Sequence, residues 1–248
     1  MRYFLQSLSL YDDAYIEQCL EGFPPHLSDK IRHISSATRR RERVSARHLL
    51  AEGLRQMGLY REFPDVEYDN NGKPFLANYN GIHFNLSHCR EYVAVAIDSC
   101  SPVGIDVESR RRVSPSLVKR VCSEAEQKMI ATAADPDMEF LRLWTRKEAW
   151  LKYTGTGIVE PLANVPPLDE ASPRDEASTD GPSVGEALEP HDNAAIGRRG
   201  SLTAQQCGNA RIDTHPLPDG DGWVSVCWDE PHAGRPACRQ AGGLKPCQ

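Results

Sequence analysis

No stretch of this 248-residue chain approaches the roughly 18 consecutive apolar residues that a membrane-spanning helix needs. None of the eight cysteines forms a CxxC pair, which leaves little support for a zinc site. A glycine-rich loop of the Walker or dinucleotide kind is missing, so any phosphate site must be built from side chains. No GxSxG elbow surrounds Ser87, which weakens a catalytic triad as a reading. The opening segment meets Asp12 and Asp13 before any long apolar core and makes a poor signal peptide. Eight cysteines without an export signal then suggest reduced thiols and a cytoplasmic protein. Aromatic residues are scarce at 7%, and none lies between Pro161 and Gly222.

What is present is ordinary core-forming material, 40% hydrophobic and 26% charged, enough for one large domain or two small ones. The net charge of −6 is unevenly spread. Basic and acidic residues balance up to Glu160, at 22 each, and 7 basic against 13 acidic residues follow. Lys30 to Arg47 holds seven basic residues and one acid, Glu42. Pro161 to Gly222 holds eight prolines, eleven acids and four basic residues, the composition of a disordered linker or insertion.

Periodicity predicts a helix from Ser36 to Met57, stopped by Gly58, with Arg40, Arg43 and Arg47 on one basic face. Asn71, Gly72 and Pro74 are turn residues that place Lys73 on a loop. Ile82, Phe84 and Leu86 alternate with polar His83 and Asn85 as in a half-buried strand. Tyr92–Ile97 follows as a more buried one, and a hairpin joins the two economically. In Val103–Glu108, Val103, Ile105 and Val107 face one way and Gly104, Asp106 and Glu108 the other. Met138–Tyr153 reads as an amphipathic helix capped by Asp137 and ended by Gly155. Trp223–Trp228 regains a strand pattern and returns to the sheet, ahead of an irregular tail.

Asp106 and Glu108, at i and i+2, project from one strand face roughly 6–7 Å apart. Such a pair suits a hard cation such as Mg²⁺ bound through oxygen, or is simply two solvated acids on an edge strand. Glu148 and Lys152 share a helix face, either as a surface ion pair or as part of a site. Ser87 and His88, at a strand end, are ligand contacts or turn residues. Trp144 and Trp150 read as core or interface residues. The arginine face serves phosphate, nucleic acid or solvent alone.

GKP (Gly72–Pro74), FNLSHC (Phe84–Cys89), VGIDVE (Val103–Glu108) and WTRKEAWLK (Trp144–Lys152) occur together in this order. The combination resembles the 4′-phosphopantetheinyl transferases of the Sfp type over residues 30 to 160. The resemblance implies an α+β fold of two similar α/β lobes in a pseudo-twofold arrangement, with coenzyme A in the cleft between them. The lobes would comprise 1–100 and, for the metal-binding core of the second, 101–160. Residues 161–222 would be the linker or insertion, and 223–248 a returning strand and tail. It further implies Mg²⁺ held by Asp106, Glu108 and Glu148, with Glu148, Lys152 and His88 in catalytic roles. Coenzyme A contacts would come from Arg47, Lys73, Ser87, His88, Lys152 and Arg40; the roles of Arg43 and Glu126 stay open. A monomer acting on an acyl or peptidyl carrier protein is expected, with Arg110, Arg111, Arg112, Lys119 and Arg120 as candidate docking charges. Thr145 where serine is commoner, the bulky Trp150 and the acidic stretch after Pro161 depart from the family pattern. A Mg²⁺-dependent phosphohydrolase using the same acids and a silent coenzyme A or carrier binder are the alternatives. The neutral core and the lack of interleaved aromatics speak against nucleic acid.

Overall fold

The computed structural model describes residues 1–70, 72–157, 162, 165 and 210–229. Strand β1 (Arg2–Ser7) leads into helices α1 (Asp13–Glu21), α2 (Pro25–Arg32) and α3 (Ala37–Gln56). A short ribbon, β2 (Val66–Tyr68) with β3 (Pro74–Leu76), precedes the hairpin β4 (His83–His88) and β5 (Tyr92–Asp98). The second half runs β6 (Val103–Ser109), α4 (Pro115–Val121), α5 (Glu124–Thr132), α6 (Pro136–Thr154) and the hairpin β7 (Ala210–Pro216) and β8 (Gly222–Asp229). The chain is thus α+β, with two three-stranded antiparallel sheets in the orders β1-β5-β4 and β6-β8-β7. In each, the first strand of its half pairs with the last, and the last with the one before it.

Alternation along the strands builds the layers. Val93, Val95 and Ile97 of β5 join Phe4 and Phe84 in a core roofed by α1, α2 and α3. Tyr92, Ala94 and Ala96, from the other face of the same strand, pack against Val103, Ile105, Val107, Val224 and Val226 of the second sheet. Helix α6 covers the far side of that sheet, with Phe140, Leu141 and Trp150 around Ile212 and Cys227. The sheets therefore lie face to face between outer helices, each strand pattern serving two cores.

Several boundaries differ from the sequence reading. The cap of α6 is Asp135, whose carboxylate accepts the Met138 N–H, with Pro136 at the first helical position. Asp137 instead accepts the Val113 N–H and ties down the α4 approach. Gly155 does end the helix, at φ 68°. The polar face of β4 is not solvated as its pattern suggests: Asn85 and Ser87 are buried because they face β6. The turn holding Lys73 joins a ribbon, β2–β3, that the pattern did not signal. The stretch expected as linker contains β7 at its end, and Trp223–Trp228 lies in β8, the middle strand of its sheet. Asn71, most of 161–209 and the tail beyond Asp229 lie outside the described residues. No helix among the described residues is long and apolar enough to cross a membrane.

Close approach fixes how α6 sits on β6. A Cβ on Gly104 would lie 2.0 Å from the Ala149 carbonyl oxygen and 2.4 Å from the Tyr153 nitrogen. The missing side chain brings the helix carrying Glu148 and Lys152 down onto the strand carrying Asp106.

Candidate active site

A cleft of about 490 Å³ opens between α3, the β2–β3 turn, the end of β4 and α6. Arg39, Arg43, Tyr68, Lys73 and His88 line it from the first half, and Glu148 and Lys152 from the second. The Lys73 turn is held by Asp69, whose carboxylate accepts the Lys73 N–H, and by Gly72 at φ 81°. Lys73 Nζ reaches across to donate to the Tyr153 carbonyl at 2.7 Å. Burial pushes its pKa below the ordinary lysine value. His88 is half exposed, and its Nε2 lies 3.5 Å from Glu42.

The arginine face divides. Arg43 lines the cleft and donates to the Tyr68 hydroxyl. Arg40 turns back to the Ile34 carbonyl and does not line the cleft. Arg47 is buried at 9% exposure, with its pKa pushed down first by desolvation and Nη1 unpartnered; it too lies outside the cleft lining. The expected coenzyme A contacts at Arg40 and Arg47 are therefore not surface groups of this cleft. Arg39 and Tyr68, which no motif marked, are.

Lys152, on the cleft wall, forms one cluster with Asp106 and Ser87, which lie behind it. Lys152 Nζ donates to Asp106 Oδ1 at 2.7 Å, to Ser87 Oγ at 3.0 Å and to the Ile105 carbonyl at 3.1 Å. An ammonium has three N–H donors, and all three are engaged, so Lys152 offers the cleft its charge rather than a free hydrogen bond. Asp106 Oδ2 and Glu148 Oε1 are buried and have no partner. Glu108 pairs with Arg111 at 3.5 Å. The Glu148 pKa is raised by burial and then by Asp106, with a smaller contribution from Glu108, while Lys152 opposes the rise. That of Glu108 is raised by burial and by Asp106 and restrained by Arg111. The three acids share one electrostatic neighbourhood, although no three His, Cys, Asp or Glu side chains among the described residues close tightly enough to hold a metal alone. Two orphaned carboxylate oxygens, on Asp106 and Glu148, fit a hard divalent cation, which these residues would hold through oxygen.

The neighbouring motif residues are structural. Lys147, at 4% exposure, donates to Glu126 at 2.8 Å and to the Val121 and Leu162 carbonyls. Glu126 also completes the capping box of α5 with Ser123. Thr145 bonds Ser225, which bonds Thr214, so a hydroxyl at position 145 is used. Trp150 is in the core and Trp144 packs against it, partly buried. Of the candidate docking charges, Arg110 is paired with Asp135 and Asp221 and Arg111 with Glu108; Arg112, Lys119 and Arg120 are exposed.

Comparison with known proteins places this geometry. The 4′-phosphopantetheinyl transferase superfamily matches residues 102–196. The 4′-phosphopantetheinyl transferase psf-1 of Bacillus pumilus is 34% identical over 173 residues, 66% of this chain and 73% of that protein. The transferase Sfp of Bacillus subtilis is 36% identical over 102 residues, 40% of this chain and 44% of Sfp, so this second match spans less than half of that relative. HetI of Nostoc is 37% identical over 101 residues, 38% of this chain and 43% of HetI. The basic cleft, the buried carboxylates beside it and these matches agree: the chain belongs to the 4′-phosphopantetheinyl transferase superfamily and is of its Sfp type.

Proposed function

We propose that this chain transfers the 4′-phosphopantetheine arm of coenzyme A to a serine of an acyl or peptidyl carrier protein, releasing adenosine 3′,5′-bisphosphate. The observation that carries the reading is a basic cleft lined by Glu148 and Lys152, with buried, unpartnered carboxylate oxygens on Glu148 and on Asp106, which Lys152 ties to that wall. In this reading the two halves are pseudo-twofold lobes, residues 1–100 and the remainder through β8, with coenzyme A between them; their shared strand order supports it. Free Cys19, Cys89, Cys100 and Cys122 support work in a reducing cytoplasm, and we take the working form as a monomer.

Asp106, Glu148 and the adjacent Glu108 would hold a divalent cation, Mg²⁺ in this proposal, which supplies positive charge to the diphosphate when bound. Lys73, Arg39 and Arg43 bind the phosphates of coenzyme A from the opposite wall, and His88 closes the edge. Lys152 adds its charge from the cleft wall, where it is paired with the more buried Asp106. The carrier serine forms a bond to the phosphorus bearing the pantetheine arm as the bond to the bisphosphate breaks, and that leaving group takes the electron pair. Glu148 accepts the serine proton; burial and its acidic neighbours raise its basicity. Arg112, Lys119 and Arg120 receive an acidic carrier surface.

Incubation with coenzyme A, Mg²⁺ and a panel of apo-carrier proteins, read by intact mass, tests the reaction. The expected result is a gain of one phosphopantetheine, abolished by chelator. Cleavage of coenzyme A without carrier modification identifies a phosphohydrolase, and binding without either reaction a silent relative. Separately, Glu148→Gln should lower turnover by about 10²–10⁴-fold, the range for a lost general base, with coenzyme A binding retained. Near-normal turnover at saturating Mg²⁺ refutes the assignment to Glu148.

A further inference from the structure

We infer that Ser87 is a positioning residue that aims the Asp106 carboxylate, and not a contact for coenzyme A; the inference rests on the function proposed above. Serine has one hydroxyl donor and two acceptor lone pairs. The Ser87 hydroxyl donates to Asp106 Oδ1 at 2.7 Å and accepts from Lys152 Nζ at 3.0 Å and the Val107 N–H at 3.3 Å. Its capacity is full. It is also 7% exposed and absent from the cleft lining, whereas its neighbour His88 lines the cleft. A phosphate could bond Ser87 only by displacing one of these partners.

The same three bonds assign it a task. Two of them engage Asp106 Oδ1 and the lysine that shares that oxygen, so Oδ1 is anchored and Oδ2 is left as the buried, unpartnered atom. The third belongs to a seam between halves. Asn85, two residues earlier on the same face of β4, accepts the Ile105 N–H at 3.3 Å, as Ser87 accepts that of Val107. These side chains satisfy the open edge of β6 where a backbone strand would otherwise pair. A strand of the first half thereby sets the orientation of a carboxylate on the second. Partners one step beyond a ligating group typically control metal affinity by about 10–100-fold.

The test separates cation from coenzyme A on the full chain. Coenzyme A binding is measured by calorimetry in EDTA, and Mn²⁺ binding by electron paramagnetic resonance with coenzyme A present. Ser87→Ala should weaken Mn²⁺ about 10–100-fold, leave coenzyme A affinity in EDTA unchanged, and raise the Mg²⁺ concentration needed for half-maximal transfer. Ser87→Thr, which keeps the hydroxyl, should recover Mn²⁺ binding. Weakened coenzyme A binding in EDTA with Mn²⁺ affinity intact makes Ser87 a phosphate contact and overturns the inference. Unchanged Mn²⁺ affinity in Ser87→Ala, or no recovery in Ser87→Thr, overturns it as well. If wild-type protein transfers the arm and only the Ser87 effect is missing, the inference falls alone; if wild-type protein neither binds Mn²⁺ nor transfers, the proposed function falls with it.

Discussion

Asp106→Asn should reduce transfer by at least about 10²–10³-fold, the cost of removing one preorganised electrostatic element from a buried site. The substitution keeps the shape of the side chain and an acceptor for Ser87 and Lys152, but removes the charge and replaces the unpartnered Oδ2 with an NH2 that cannot ligate a cation. That charge decides the site's preference for a cation. Asp106, Glu108 and Glu148 stand against Lys152 and Arg111, so the cluster carries one net negative charge, and without Asp106 it carries none. Lys152 then keeps its contact to Ile105 and, at 28% side-chain exposure, regains water. Stability should therefore fall modestly, by about 1–3 kcal/mol for a weakened hydrogen bond between charged groups. The measurement is the rate of carrier mass gain over a Mg²⁺ titration, beside the melting temperature. Activity within about tenfold of wild type, with the fold intact, would remove Asp106 from the centre of the mechanism.

Much of this architecture is written in local pattern. Period-two alternation placed β4 and β6, a continuous apolar run placed β5, and a strand pattern placed Trp223–Trp228, because each buries at least one face against a core. Ser36 and Gly155 marked true helix ends. What the pattern does not encode is what lies opposite a strand's polar face. Asn85 and Ser87 alternate with apolar neighbours as surface residues do, yet they are buried against β6, a contact between segments twenty residues apart that no window of periodicity contains. β7 was hidden for a related reason. Ala210–Pro216 includes Arg211, Asp213, Thr214 and a terminal proline, a polar composition that an edge strand tolerates. The site was legible in part. The motifs named Asp106, Glu148, Lys73 and His88, which meet at or behind one cleft. A helical wheel groups Arg40, Arg43 and Arg47, but only Arg43 lines that cleft, because Arg47 is buried and Arg40 turns back to the Ile34 carbonyl. Arg39, one residue from the wheel's stripe, takes the place expected for them.

Gly104→Ala should be severely damaging, because the added methyl makes the tightest backbone clash among the described glycines. The new Cβ would meet the Ala149 carbonyl oxygen at 2.0 Å, the Tyr153 nitrogen at 2.4 Å and the Tyr153 Cα at 2.9 Å. All three are backbone atoms of α6, so no rotamer change relieves the overlap and the helix must shift as a body. Overpacking of a close-packed interior costs about 1–3 kcal/mol and sometimes more. With backbone on the opposing side the upper end is expected, a fall in melting temperature of about 6–12 °C at about 2–4 °C per kcal/mol for a chain of this size. The functional loss should exceed what unfolding explains. Glu148 and Lys152 ride on α6 and Asp106 on β6, so separating the two elements pulls the carboxylates and their lysine apart, and a misplacement of about 1 Å can cost about 10²-fold in rate. Turnover should therefore be measured well below the melting point, where the variant is folded. Gly58→Ala is the companion: it sits at φ 70° with nothing within 4 Å, so it should cost about 1 kcal/mol through backbone strain alone and leave turnover intact. A Gly104→Ala protein that melts and transfers like wild type would mean that α6 does not rest on β6 at this distance, and the alignment of Glu148 with Asp106 would lose its structural basis.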